Sequence, residues 1–137
     1  MTRSKSREIL MQLLFLMEVQ RDYRDEVKER FFSEQEIPSD KFVEELYEAC
    51  LINLPEIDNL LDNIAENWSL NRINRVDLAI LRLATAEFLY MKGTPAAVIV
   101  NEAVNIAKKY GTDDSGRFVN GVLGKIIKTG KNGNNGQ

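Results

Sequence analysis

The residues best placed to do chemistry lie between Asn101 and Leu123, a stretch whose spacing reads as helix, tight loop, helix. Gly111 stands where a helix end takes a left-handed residue, and Asp113, Asp114 and Ser115 are side-chain acceptors able to cap the helix that follows. At the start of that helix Arg117 and Phe118 set a guanidinium beside an aromatic ring. A cation and a ring so placed can hold a phosphate and stack an unpaired base. The chemistry is recognition of single-stranded nucleic acid, not bond making or breaking.

Other chemistries are poorly supplied. The chain has no histidine and a single cysteine, Cys50, so a Cys/His zinc site and an intramolecular disulfide are both excluded. Catalysis would have to run on carboxylates, lysines, hydroxyls or that one thiol, without the commonest proton shuttle. Cys50 falls on the apolar stripe of a predicted helix, where a thiol serves as core filler. We therefore expect no enzyme, no catalytic residues, no metal and no cofactor. Arg3 to Arg7 followed by Ile9 to Met17 has the look of a secretory signal, but Glu8 and Gln12 interrupt it and no small-residue cleavage site follows. No apolar run approaches the roughly 20 residues that span a bilayer. The expectation is a cytoplasmic protein with no membrane partner.

The net charge of −3 argues against nucleic acid until its distribution is considered. Residues 1–17 carry +2, residues 18–66 carry −10, residues 67–102 carry +1 and residues 103–137 carry +4. Two positive ends flank an acidic middle. Brought together in space, the ends would form the cationic face that a phosphate backbone requires.

Helical periodicity must position these groups, because strand-like alternation is absent. Ile9, Leu10, Leu13, Leu14, Leu16 and Met17 form one stripe; Tyr23, Val27 and Phe31 mark a short second helix; Phe42 to Leu54 carries a third. Pro55 then kinks the chain, or the helix restarts with Asn53 as its cap. Ile57 to Ile64 continues the pattern, Ser69 is available to cap the next helix, and Val76 to Phe88 forms a clean stripe that stops at Gly93. Thr94-Pro95 opens a further helix through Ala107, and Phe118 to Ile127 completes the set. The expectation is an all-α fold of six or seven helices, one domain over residues 1–129, and a disordered polar tail over 130–137. Gly121 and Gly124 suggest a site where a neighbouring helix approaches closely, and Asn120 a satisfied hydrogen-bonding residue at a helix junction.

The segments from Trp68 to Ala84, from Val100 to Gly111 and from Phe118 to Leu123 strongly resemble the NusB family of bacterial antitermination factors, as does the run Arg7-Glu8 leading to Gln12-Leu-Leu-Phe15. The likeness covers nearly the whole chain except the tail. It implies an all-helical fold of two three-helix halves and no enzymatic activity. It further implies binding to the boxA element of ribosomal RNA leader transcripts together with NusE, a small-subunit ribosomal protein, within a complex on RNA polymerase. By the same resemblance Arg3, Lys5 and Arg7 touch RNA, and Phe15 stacks where many homologues have tyrosine. Asp114 flanks the pair Arg117–Phe118, and Lys125 adds a cation on the last helix. Arg72 and Asp77 are assigned to the NusE contact. Solubility alone would explain the N-terminal cations and core packing would explain Phe15. Phe118 can serve the core, the RNA, or each with a different face.

Two other classes can be weighed. A similar helical module begins some ribosomal RNA cytosine methyltransferases, but here only a short polar tail follows Thr129, and no glycine-rich cofactor loop or paired catalytic cysteines are present. A homodimer is the third reading, since some family members self-associate; light scattering with and without RNA separates it from a working monomer.

Overall fold

A computed structural model describes residues 1–64 and 69–133, with the side chains of 131–133 left aside, so Trp68 and the end of the tail (134–137) lie outside the described residues. Seven α-helices follow one another: α1 Arg3–Gln20, α2 Asp25–Glu34, α3 Lys41–Ile52, α4 Leu54–Ile64, α5 Arg75–Tyr90, α6 Ala96–Tyr110 and α7 Ser115–Gly133. A single 3-10 turn, Leu70–Arg72, precedes α5.

Local chemistry accounts for most boundaries. Thr2 Oγ1 accepts from the Lys5 N–H at 3.0 Å to open α1, and Asp40 Oδ1 accepts from the Val43 N–H at 2.9 Å to open α3. Between α3 and α4 the chain restarts: Asn53 Nδ2 donates to the Ala49 carbonyl at 2.8 Å, and Pro55 sits in the first turn of α4, where a missing N–H costs nothing. The cap of α5 is Asn74, not Ser69. Asn74 Oδ1 accepts from the Asp77 N–H at 2.8 Å, while Ser69 precedes only the short 3-10 turn and makes no side-chain cap bond.

Helix α5 is the axis of the molecule. Every residue from Asp77 to Glu87 is buried, the pattern of a helix covered on all sides. It packs against α1, α3, α4, α6 and α7. Helices α1 to α3 form one half, α5 to α7 the other, and α4 lies against α5 and α7. Leu10, Leu13, Leu14, Met17, Leu46, Leu81 and Leu123 are among the fully buried side chains, each stabilising by about 1.5–3 kcal/mol relative to an exposed position. Cys50 is part of this core, and burial pushes its thiol up to about 12, far from a nucleophile's range.

Two buried arginine networks tie the helices to α5. Arg82 donates from Nε and Nη2 to the Asp58 carboxylate, both at 2.8 Å, and from Nη1 to Glu18 and to the Tyr23 hydroxyl, both at 2.8 Å. Arg7 donates to Glu87 at 2.8 and 2.7 Å and to Glu102 at 2.8 Å, joining α1, α5 and α6.

Several glycine expectations are corrected. Gly111 has φ −93° and ψ −160°, which is not left-handed. Its requirement is space: a Cβ there would lie 2.3 Å from Ser115 Oγ and 2.8 Å from the Ala107 carbonyl oxygen. Gly121 and Gly124 face solvent with nothing within 4 Å of an added Cβ, so no helix approaches them. Close approach occurs instead at Gly130, where a Cβ would meet Phe88 Cε2 at 2.7 Å. That contact with α5 accompanies continuation of α7 to Gly133, beyond the expected domain end at residue 129. Asn120 is exposed and among the described residues makes no side-chain hydrogen bond, so it is not the junction residue foreseen.

Candidate nucleic-acid interface

The N-terminal cations and the Arg117–Phe118 pair are joined through the end of α6. Lys109 Nζ donates to Glu8 Oε1 at 3.0 Å, the Tyr110 hydroxyl donates to the same oxygen at 2.5 Å, and Gln12 Nε2 donates to the Tyr110 oxygen at 3.1 Å. Ser4 Oγ donates to Glu102 nearer the start of α6. On its other side α6 packs along α7, where Lys108 lies over Gly116. The first and last helices are thus bridged by α6. Arg3, Lys5, Lys108, Lys109 and Arg117 are all exposed along this bridge.

Electrostatics keep the face charged. The hydrogen bond from Tyr110 holds the Glu8 carboxyl below its usual range despite partial burial, and Lys109 adds to the effect. The same contact raises the Tyr110 phenol. Glu8 therefore stays ionised and pairs with Lys109 and, at 3.6 Å, with Lys5. Arg3 lies over the Phe42 ring, 4.6 Å from its centroid.

Arg7 does not join this surface. It is 5% exposed, and its guanidinium is held between two carboxylates. The hydrogen bond from Arg7 to Glu87 raises its pKa above the ordinary arginine value, so it is a permanent internal cation. The sequence reading of Arg7 as a phosphate contact is corrected: alternating polarity along α1 could not reveal that Glu87 and Glu102, far away in sequence, would enclose it.

Phe15 is half-buried, packed on the core while lining an open groove between α1 and α2 with Gln12, Leu16, Arg30 and Phe31. Gln12 connects this groove to Tyr110, and so to the cationic bridge.

A cleft of about 240 Å³ is lined by Arg72, Ile73, Asn74, Asp77, Thr112, Asp114, Ser115 and Phe118. It brings together residues that the sequence divided between RNA and protein partner. Phe118 is half-buried, packing on the core and forming one wall of the cleft. Arg117 and Lys125 are exposed and eight positions apart on α7, close to one face. Arg72 is exposed at the rim.

Two acidic residues line the cleft. Asp77 is 5% exposed. Its Oδ2 accepts from Asn74 Nδ2 at 3.1 Å, while among the described residues Oδ1 is buried without a hydrogen-bond partner. Burial pushes this carboxyl up, opposed by Ser115 and Asn74. Asp114 is exposed, and among the described residues its carboxylate accepts no capping hydrogen bond. The turn into α7 is closed instead by Ser115 Oγ, which accepts from the Thr112 N–H at 2.9 Å.

Sequence reasoning passed over Lys109 and Tyr110 as site residues, and also Gln12, Arg30 and Thr112. A signal for the first two was present: Lys108-Lys109-Tyr110 is itself a basic–aromatic run immediately before Gly111. Among the described residues no cluster of His, Cys, Asp or Glu could hold a metal, and no helix is long and apolar enough to cross a membrane.

Comparison with known proteins gives a consistent picture. The model of the NusB family matches residues 4–128. The transcription antitermination protein NusB of Exiguobacterium sp. is 43% identical over 128 residues, covering 93% of this chain and 98% of its own. That of Alkaliphilus oremlandii is 39% identical over 130 residues, covering 93% and 94%. The T. maritima NusB crystal structure superposes with a TM-score of 0.81 at 39% identity, covering 93% of this chain and 92% of that one. A crystal structure of antitermination factors NusB and NusE in complex with dsRNA gives 0.82 at 25% identity, covering 94% and 99%.

Proposed function

The chain belongs to the NusB family, and on that premise we propose that it is a cytoplasmic transcription antitermination factor, not an enzyme, that binds boxA RNA of ribosomal RNA leader transcripts. It does so with NusE, and the pair joins the antitermination complex on RNA polymerase. The observation that supports this reading is the α6 bridge: Lys109 of α6 pairs with Glu8 of α1, and Lys108 of the same helix lies against Gly116 of α7, next to Arg117.

On this surface Arg3, Lys5, Lys109, Arg117 and Lys125 supply phosphate contacts, and Phe15 and Phe118 offer ring faces to unstacked bases. Stacking is worth about 1–3 kcal/mol per base. Phe15 has no hydroxyl, so it contributes no hydrogen bond. Five phosphate contacts on a single strand give a salt slope of only about −3.5. Such an interface is weak alone and gains from a second protein. The cleft between Arg72, Asp77 and Phe118 supports that arrangement, because a partner seated there would lie beside the bases stacked on Phe118.

The test is a gel shift with boxA RNA and a scrambled RNA of equal length, with and without NusE. The expected result is preference for boxA that NusE strengthens. Equal retention of both RNAs in the presence of NusE would overturn the reading.

A further inference from the structure

Away from the RNA face, the junction of α3 and α4 presents an apolar surface that no part of the described chain covers. Ile52 is 73% exposed, the most exposed large aliphatic side chain in the molecule's described part, and it closes the last turn of α3. One shallow groove runs from it past Leu51, Leu54 and Pro55 to Tyr23. A second runs from it past Ala49 to Tyr90 and Met91 at the end of α5. Tyr90 is itself 41% exposed. Ile52 is the ridge shared by both grooves.

The rim of this surface is acidic. Glu45 and Glu48 line the second groove; Asp58 lines the first, but its carboxylate is already held by Arg82. Glu56, exposed in the first turn of α4, lies close enough to Tyr90 to help raise its phenol, secondarily to burial. Among the described residues Glu45 pairs with the exposed Lys41 at 3.7 Å, Glu48 and Glu56 form no ion pair, and Lys92 is the one cation lining the grooves. The rim belongs to the segment 18–66, whose net charge is −10.

We propose that this surface docks a lysine- or arginine-rich amphipathic helix of another protein, its apolar face seated over Ile52 and its cations opposite Glu45, Glu48 and Glu56. Charge decides between occupants. A second copy meeting the same patch would set these carboxylates against themselves, since a two-fold contact pairs each surface with its own image. A basic helix instead gains attraction at the rim and burial at the centre, the helix-in-groove arrangement. The surface shares no residue with the RNA face, so the factor could hold RNA and this partner at once.

The experiment uses the full chain and a fluorescent synthetic helix of about four turns, with leucine at i, i+3, i+4 and i+7 and lysine elsewhere. A matched helix carries glutamate in place of lysine. Anisotropy should show saturable binding of the basic helix and none of the acidic one. Ile52→Ser should weaken binding by about tenfold to a hundredfold, the share of one well-buried isoleucine. The double reversal Glu48→Lys/Glu56→Lys should abolish preference for the basic helix. Undiminished binding to the Ile52→Ser protein would overturn the proposal, because only diffuse charge attraction would remain. So would sedimentation showing that the wild type forms a dimer which Ile52→Ser dissolves, since a second copy would then be the occupant. Circular dichroism of each variant confirms that a loss is not unfolding, and boxA binding of the Ile52→Ser protein should stay at the wild-type level.

Discussion

Replacing Arg7 with methionine is the sharpest test of the structure. The Arg7 side chain is 6% exposed, Glu87 1% and Glu102 20%, and the two ion pairs span 2.7 and 2.8 Å. Methionine preserves much of the stem but leaves Glu87 in the interior without its counter-charge. Breaking one partner of a buried pair costs about 3–5 kcal/mol, a large part of the roughly 5–15 kcal/mol that holds such a domain folded. At about 4 °C per kcal/mol, Tm should fall by roughly 12–20 °C. The double variant Arg7→Met/Glu87→Leu removes both buried charges and should recover most of the loss, because a packed apolar pair replaces an ion pair at little cost. Glu102 keeps access to solvent and to Ser4. Urea denaturation of the four proteins of the cycle measures the coupling directly. The double variant should also bind boxA RNA with wild-type affinity and salt slope, as Arg7 faces inward. Two results would refute the reasoning: an unchanged Tm in Arg7→Met, or a stable double variant whose RNA affinity falls by tenfold or more with a shallower salt slope.

Other consequences follow from single side chains. Burial raises the Glu18 carboxyl, but hydrogen bonds from Tyr23, Arg82 and Arg75 outweigh it and the net shift is downward. A carboxylate lowered on folding stabilises above its unfolded pKa, so stability should be level above about pH 5 and decline as pH drops below about 4.5; in urea titrations Glu18→Gln should be less stable at neutral pH and flatter in acid. Gly121→Ala and Gly124→Ala meet nothing within 4 Å and should each raise stability by up to about 1 kcal/mol, whereas Gly130→Ala strikes Phe88 and should lower it in the same melts. Among the described residues the Asp114 carboxylate accepts no capping hydrogen bond, so Asp114→Asn should leave stability within about 0.5 kcal/mol. The same change should tighten RNA binding a few-fold by removing repulsion of phosphate, and a filter-binding titration with unchanged or weaker affinity would dispose of that account.

The stripes of Leu10, Leu13 and Leu14 on α1 and of Val76, Ala79, Ile80 and Leu83 on α5 were legible in the sequence because helical period is a local property. Proline and asparagine near residue 54 likewise announced the break between α3 and α4. Helix count, the all-α class and the division of charge along the chain needed nothing more. What no local pattern carried was which polar groups the packing would enclose. Arg7 reads as a surface charge because Glu87 and Glu102 lie on other helices, and only the convergence of α1 and α6 on α5 buries it. Gly121 and Gly124 could not be told from Gly130 by spacing, since the difference is which side of α7 meets Phe88. The cationic surface also depends on tertiary structure: α1 and α7 become neighbours of one face through α6, whose Lys109 and Tyr110 reach Glu8 across about a hundred residues of chain. Sequence determined the helices and their charges, and packing decided which charges remain free to meet a phosphate.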